Sequence, residues 1–247
     1  MKLTELMEKE YNDITSAELD SISYQSTDGL QKIIKTYDHW LKREEREIDI
    51  HGSSWRPSDK KTIERIRNLS KKKQYSREDI TTFSTYMQER EQSKAFTHSG
   101  YFLSLLINYH YKYTNDQEKY VILTNHLKEK IHRLCYKNNG ANVRVLGSVG
   151  HGFCSNMKQG TVVLSGNCDK VLAPFMKGGD LTVYGDVDTV ETLDSEKNNG
   201  IITLLGSCIR ISPRIKKGTV YYHGEDVTAW MKKGEYYRPN NSLEERK

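Results

Sequence analysis

Two spacings of apolar residues divide the chain. From Asp28 to about Lys137 they recur at intervals of three and four, as on the buried face of a helix; beyond Asn138 they alternate with polar residues in short runs that end in glycine, as in a strand. Leu30, Ile33, Ile34, Tyr37, Trp40 and Leu41 form one stripe, with Asp28 ahead of them as an N-cap. Ile63, Ile66 and Leu69 mark a second helix. Ser76 with Asp79 makes a capping box for a third, striped by Ile80, Phe83 and Met87. The apolar stretch Tyr101–Tyr113 predicts a more buried helix. Thr114-Asn115-Asp116-Gln117 then has the form of a capping box for a last one, striped by Tyr120, Leu123, Leu127, Ile131 and Leu134.

The second part repeats. A motif of small-x-apolar-x-apolar-x-Gly occurs at Ala141–Gly147, Gly160–Gly166, Gly179–Gly185, Gly200–Gly206 and Gly218–Gly224, with starts 19, 19, 21 and 18 residues apart. The apolar columns Val143/Val162/Leu181/Ile202/Val220 and Val145/Leu164/Val183/Leu204/Tyr222 each belong on the inside of a stacked coil. The closing glycine permits a sharp corner, through an unusual backbone angle or close approach of neighbouring coils. A second landmark, Met157-Lys158-Gln159-Gly160, is matched at Met176, Ile215 and Met231, the last opening a sixth turn. Lys197-Asn198-Asn199-Gly200 lacks the apolar residue and follows the longest period, so an outward bulge is expected there.

These features predict an α+β multidomain chain. An N-terminal α-helical part (1–137) is followed by a right-handed, single-stranded parallel β-helix of about five glycine-punctuated turns (138–238) and a polar tail (239–247). The segment Cys154–Gly166 with Phe175-Met176-Lys177-Gly178-Gly179 resembles the GXGXG β-helix family, found in the large chain of glutamate synthase and in one of the chains of formylmethanofuran dehydrogenase. The glycine-punctuated C-terminal domain of the septum-site protein MinC fits the Met-x-x-Gly pattern less well. The resemblance covers about 138–237. It implies a structural and interface role, because in those enzymes other domains hold the active sites.

Composition narrows the function without naming it. A net charge of +5 on 247 residues supports nucleic-acid binding only weakly. The longest apolar run near the middle, Tyr101–Ile107, is too short to span a bilayer. Four cysteines without a CxxC pair favour free thiols and a cytoplasmic protein.

Three groups of residues are candidates for chemistry. Lys60, Lys61, Arg65, Arg67, Lys71, Lys72 and Lys73, opposed only by Glu64, read either as an anion-binding helix or as a solvated helix face. Lys158, Lys177, Lys216 and Lys232 occupy one column, a positive ridge that either binds an acidic partner or keeps the solenoid from sticking to its neighbours. His151, Cys154 and Asp169 form a polar cluster, against which stands the reading of each cysteine as a small apolar filler in its column. No cofactor, metal site or catalytic residue is indicated. The function expected is a non-catalytic scaffold or interaction protein, docking a protein partner or a second copy through faces bearing Tyr184, Tyr221 and Trp230. The alternative is an accessory subunit of a redox or amidotransferase-type enzyme, or a small enzyme, with a site where helices meet solenoid.

Overall fold

A computed structural model describes residues 26–51, 60–191, 200–212, 218–231 and 237–238. Four helices come first: α1 Asp28–His51, α2 Lys60–Lys71, α3 Arg77–Tyr86 and α4 Ser99–Thr114, with 3-10 turns at Met87–Arg90 and Phe96–His98. The α1 cap is one residue earlier than expected. Thr27 Oγ1 accepts from Leu30 N at 2.9 Å, and Asp28 begins the helix. Ser76 caps α3 with Asp79 in the reciprocal box. The apolar stripes of α1, α3 and α4 meet in an aromatic cluster, where Tyr37 lies 5.0 Å from Phe83 and 5.1 Å from Phe102 between ring centroids. Trp40, 5.2 Å from Phe102, completes it.

The rest is a parallel solenoid. One sheet runs β1 (Tyr120–Leu123), β2 (Val143–Leu146), β3 (Thr161–Leu164), β5 (Asp180–Val183), β7 (Ile201–Leu204) and β9 (Thr219–Tyr222), all parallel. A second sheet joins β4 (Cys168–Leu172), β6 (Val187–Val190) and β8 (Cys208–Ile211). Leu164, Val183 and Leu204 are in register and buried, as are Val162, Leu181 and Ile202. The inward columns expected from the period-two alternation are therefore the core.

The expected helix over Tyr120–Leu134 is not formed. Asn115, at φ 53°, ends α4 with its N–H donating to Tyr111 O, so the apparent capping box is a helix terminus. Tyr120–Leu123 is a strand, with Tyr120 opposite Val143 and Ile122 opposite Val145. The parallel sheet thus begins one coil before the glycine motif, and Ile131, Leu134 and Cys135 bury into that extra coil. Helix α3 covers the outer edge of β1, where Ser84 Oγ accepts from Leu123 N at 3.0 Å. An unpaired edge that would attract other strands is thereby covered.

Two kinds of glycine serve the corners. Gly160 and Gly179 hold φ of 92° and 86°, the left-handed region that side chains disfavour. Gly166, Gly185 and Gly206 instead stack on one another: a Cβ on Gly206 would lie 2.3 Å from Gly185 O, and one on Gly185 2.4 Å from Gly166 C. At the far end the chain reverses. β10 (Glu225–Asp226) pairs antiparallel with β9, and a short helix α5 (Thr228–Met231) follows; the remainder of the motif copy expected to open a sixth turn, 232–234, lies outside the described residues. Tyr237 closes the second sheet through an antiparallel bridge to Ile211. The bulge expected at Lys197–Asn199 lies outside the described residues. No helix among the described residues is long and apolar enough to cross a membrane.

Candidate functional site

The corner opposite the main sheet is built from left-handed residues that repeat every 19 positions. Cys135, Cys154 and Ala173 have φ of 61°, 55° and 52°; Lys137, Asn156 and Phe175 have 55°, 57° and 57°. Each coil makes the same tight turn: Asn138 N donates to Cys135 O, Met157 N to Cys154 O, and Met176 N to Ala173 O. Bonds between coils then fix the stack, with Arg133 N to His151 O at 2.9 Å, Gly152 N to Val171 O at 2.9 Å, and Asn156 N to Pro174 O at 2.9 Å. Side chains of one column therefore line up along the solenoid axis, about 4.8 Å apart.

Where this corner meets α4 there is a groove of about 510 Å³. Tyr101 and Tyr136, with ring centroids 5.5 Å apart, supply an aromatic wall. Arg133 stands at the first coil, His151 and Asn156 at the second, Phe175 at the third and Glu191 at the fourth. Phe175 is 54% exposed, an uncommon situation for a phenyl ring in a folded chain. Among the described residues the side chains of Arg133, Asn156 and Glu191 make no hydrogen bond or ion pair, and Arg133 and Glu191 face the groove from opposite ends. Lys137 Nζ lies 5.1 Å from the Tyr136 ring centroid. Burial pushes the His151 imidazole below its usual pKa; the Arg133 and Lys170 charges push the same way and Glu191 opposes them. Burial, with Tyr136 next, holds the Tyr101 phenol up at about 12.

A second cavity, of about 400 Å³, lies on the helical part between α1 and the Met87–Arg90 turn. Most of its polar groups are already paired: Arg90 Nε bonds Asp38 at 2.9 Å and Ser93 Oγ donates to Glu45 at 2.6 Å. A pocket whose polar groups are paired with one another offers a ligand little.

The polar cluster expected of His151, Cys154 and Asp169 is pulled apart. His151 lines the groove, with its backbone N–H donating to His132 Nδ1 at 3.0 Å. Cys154 is fully buried, and burial followed by the neighbouring Cys135 thiol raises its pKa well above the ordinary thiol value. Asp169 is out on the surface, bridged to Lys130 at 2.6 Å. Cys168 and Cys208 sit opposite Val187 from either side, two strands apart, and burial pushes their thiols up to about 12 and about 11. All four thiols are free and buried. Among the described residues no group of three or more histidine, cysteine or carboxylate side chains is placed to hold a metal.

The basic residues are on the surface. Thr62, Ile66 and Ser70 are the buried positions of α2, while Lys60, Lys61, Arg65, Arg67, Lys71 and Lys72 are exposed, with Arg67 resting 5.6 Å from the Tyr109 ring centroid. Lys158 and Lys177 are exposed at equivalent corners of successive coils, whereas Lys216 and Lys232 lie outside the described residues. Tyr184 and Tyr221 are half-buried, and the side chain of Trp230 is outside the described residues. Sequence reasoning named only His151 of the groove. The signal for Asn156 and Phe175 was present in the 19-residue spacing; Arg133 was hidden inside an expected helix and Tyr136 just past its last stripe residue, Leu134.

No protein-family model, curated protein or solved structure matches the chain.

Proposed function

We propose that this protein is a non-catalytic binding protein, with the solenoid as a rigid frame and the groove between α4 and the coil corners as its ligand site. One observation carries the reading: aromatic side chains and unpaired charged and amide groups converge on one concavity of a size that suits a small molecule. Binding is favoured over thiol catalysis because every cysteine is buried and the thiols of Cys154, Cys168 and Cys208 are held protonated, whereas a nucleophile must ionise and be reached. The GXGXG resemblance supports the non-catalytic part of this reading, since it implies a structural and interface role. Free thiols are consistent with the reducing environment of the cytoplasm.

A thermal-shift screen of small molecules on the full chain tests the reading, with Phe175→Ser run in parallel. Phe175 is exposed, so the variant is expected to fold with an unchanged melting temperature. At least one compound should stabilise the wild type, lose that effect in Phe175→Ser, and be recovered chemically unchanged. A screen in which every stabilising compound acts equally on the variant, or in which a hit is converted to product, defeats the proposal.

A further inference from the structure

We infer that the groove takes a small anion joined to a planar, hydrogen-bonding ring, the chemical class of a nucleoside monophosphate. The inference rests on the groove being a binding site and adds what the site selects.

The charge in the groove is graded along the solenoid axis. The first coil brings Arg133 into the lining, and the same coil carries Lys137 over the ring of Tyr136, which forms the groove wall. Lys170, one column away, adds its field at His151. Glu191 is the carboxylate of the lining, and it belongs to the fourth coil, about three strand spacings or ~14 Å from Arg133. The helix side of the groove contributes the phenol of Tyr101, which burial keeps neutral at ordinary pH. The Arg133 end is therefore net positive. A guanidinium offers paired N–H donors to a phosphate or carboxylate, and Arg133 has no competing carboxylate within bonding distance among the described residues.

The body of the ligand is read from the next two coils. Asn156 stands one coil from Lys137 and Phe175 one coil further, because all three share the same left-handed corner position. An amide presents both a donor and an acceptor, which suits the edge of a heterocycle. The open face of Phe175 is a stacking platform that accepts any planar ring. Anion, hydrogen-bonding edge and stacking face thus come on three successive coils, over about two coil spacings along the axis. Inorganic phosphate would use only the first of these, and a neutral nucleoside only the last two.

Titration calorimetry of the full chain with adenosine 5′-monophosphate, adenosine and inorganic phosphate tests this. The monophosphate should bind at least tenfold more tightly than either of the others. Arg133→Gln should reduce its affinity to that of adenosine and leave adenosine unchanged, whereas Phe175→Ser should weaken both about tenfold. Both side chains are outside the core, and the melting temperature of each variant checks that the fold is kept. Equal affinity for adenosine and its monophosphate, or no effect of Arg133→Gln, overturns the anion selectivity while a Phe175-dependent adenosine signal still leaves the groove a ligand site. Binding of the monophosphate that neither substitution disturbs overturns both readings, and its failure to bind at millimolar concentration overturns this inference alone.

Discussion

The first coil of the solenoid and the coils that follow it do the same structural job with different sequences. In the main sheet β2, β3, β5, β7 and β9 each lie between a small residue and a closing glycine, while β1 reads Tyr120-Val121-Ile122-Leu123-Thr124 with neither. The geometry explains the difference. A Cβ on Gly147 would come within 2.3 Å of Asn125 N and 2.6 Å of Thr124 Oγ1, and those on Gly166, Gly185 and Gly206 would strike the backbone of the coil before. A closing glycine is needed only where a preceding coil lies against it. Thr124 has no preceding coil, so its position tolerates a side chain, and the motif is missing where the stack begins.

The largest expected effect asks whether the first coil is as much part of the core as its successors. Ile122 and Leu164 occupy the same inward column, each fully buried. Ile122→Ala and Leu164→Ala should each destabilise the protein by about 2–5 kcal/mol in denaturant unfolding, through lost burial and a residual cavity. If Ile122→Ala costs under about 1 kcal/mol while Leu164→Ala costs several, the first coil is an appendage and the comparison fails.

A smaller effect separates the two reasons for glycine. Gly206→Ala drives a methyl into the Gly185 carbonyl, backbone that cannot move aside without disturbing the ladder, and should cost about 3 kcal/mol. Gly224 closes the last motif copy at φ 85°, but nothing lies within 4 Å of its Cβ position. Gly224→Ala should therefore cost only about 1–2 kcal/mol of left-handed backbone strain. Equal costs at the two sites would show that the Gly185 carbonyl yields to the added methyl, and that close approach does not explain the stacked glycines.

The same contrast explains what the sequence disclosed. The inward columns were legible because stacking forces identical spacing on every coil, and the period survives substitutions among Val, Leu and Ile. Ser76 and Asp79 were legible because a capping box is local. Tyr120–Leu134 was misread because Tyr120, Leu123, Leu127, Ile131 and Leu134 satisfy helical spacing by coincidence; pairing with β2 and cover from α3 override it. That one error concealed the site. Arg133 and Tyr136 reach the groove only because their segment bonds to the second coil, through Arg133 N to His151 O and Lys137 N to Ser155 O, and a helix would have aimed them elsewhere. Cys154 failed as a site residue for the opposite reason: the period placed it in a core column with Ala173, as the filler reading required.

The smallest effect sharpens the comparison at the seam between helices and solenoid. His132 bridges the two: its backbone N–H donates to Thr97 O from the 3-10 turn at 2.6 Å, and its Nδ1 accepts from His151 N of the second coil. Burial holds its pKa down at about 4, helped by the nearby His151, His98, Lys170 and Arg133. The unfolded chain takes up this proton near pH 6.5, so between that value and about 4 the unfolded state binds more protons than the folded one. Stability from this group is complete above about pH 6.5 and declines as the pH falls toward 4. His132→Asn keeps an acceptor near the Nδ1 position without a titrating ring. Between about pH 7 and about pH 5 the wild type should lose about 1 kcal/mol more than this variant, a figure already reduced for the solvent that reaches the ring. Parallel pH profiles for the two proteins would mean that the seam carries no buried neutral imidazole, and that the first coil is joined to the helices more loosely than to the second.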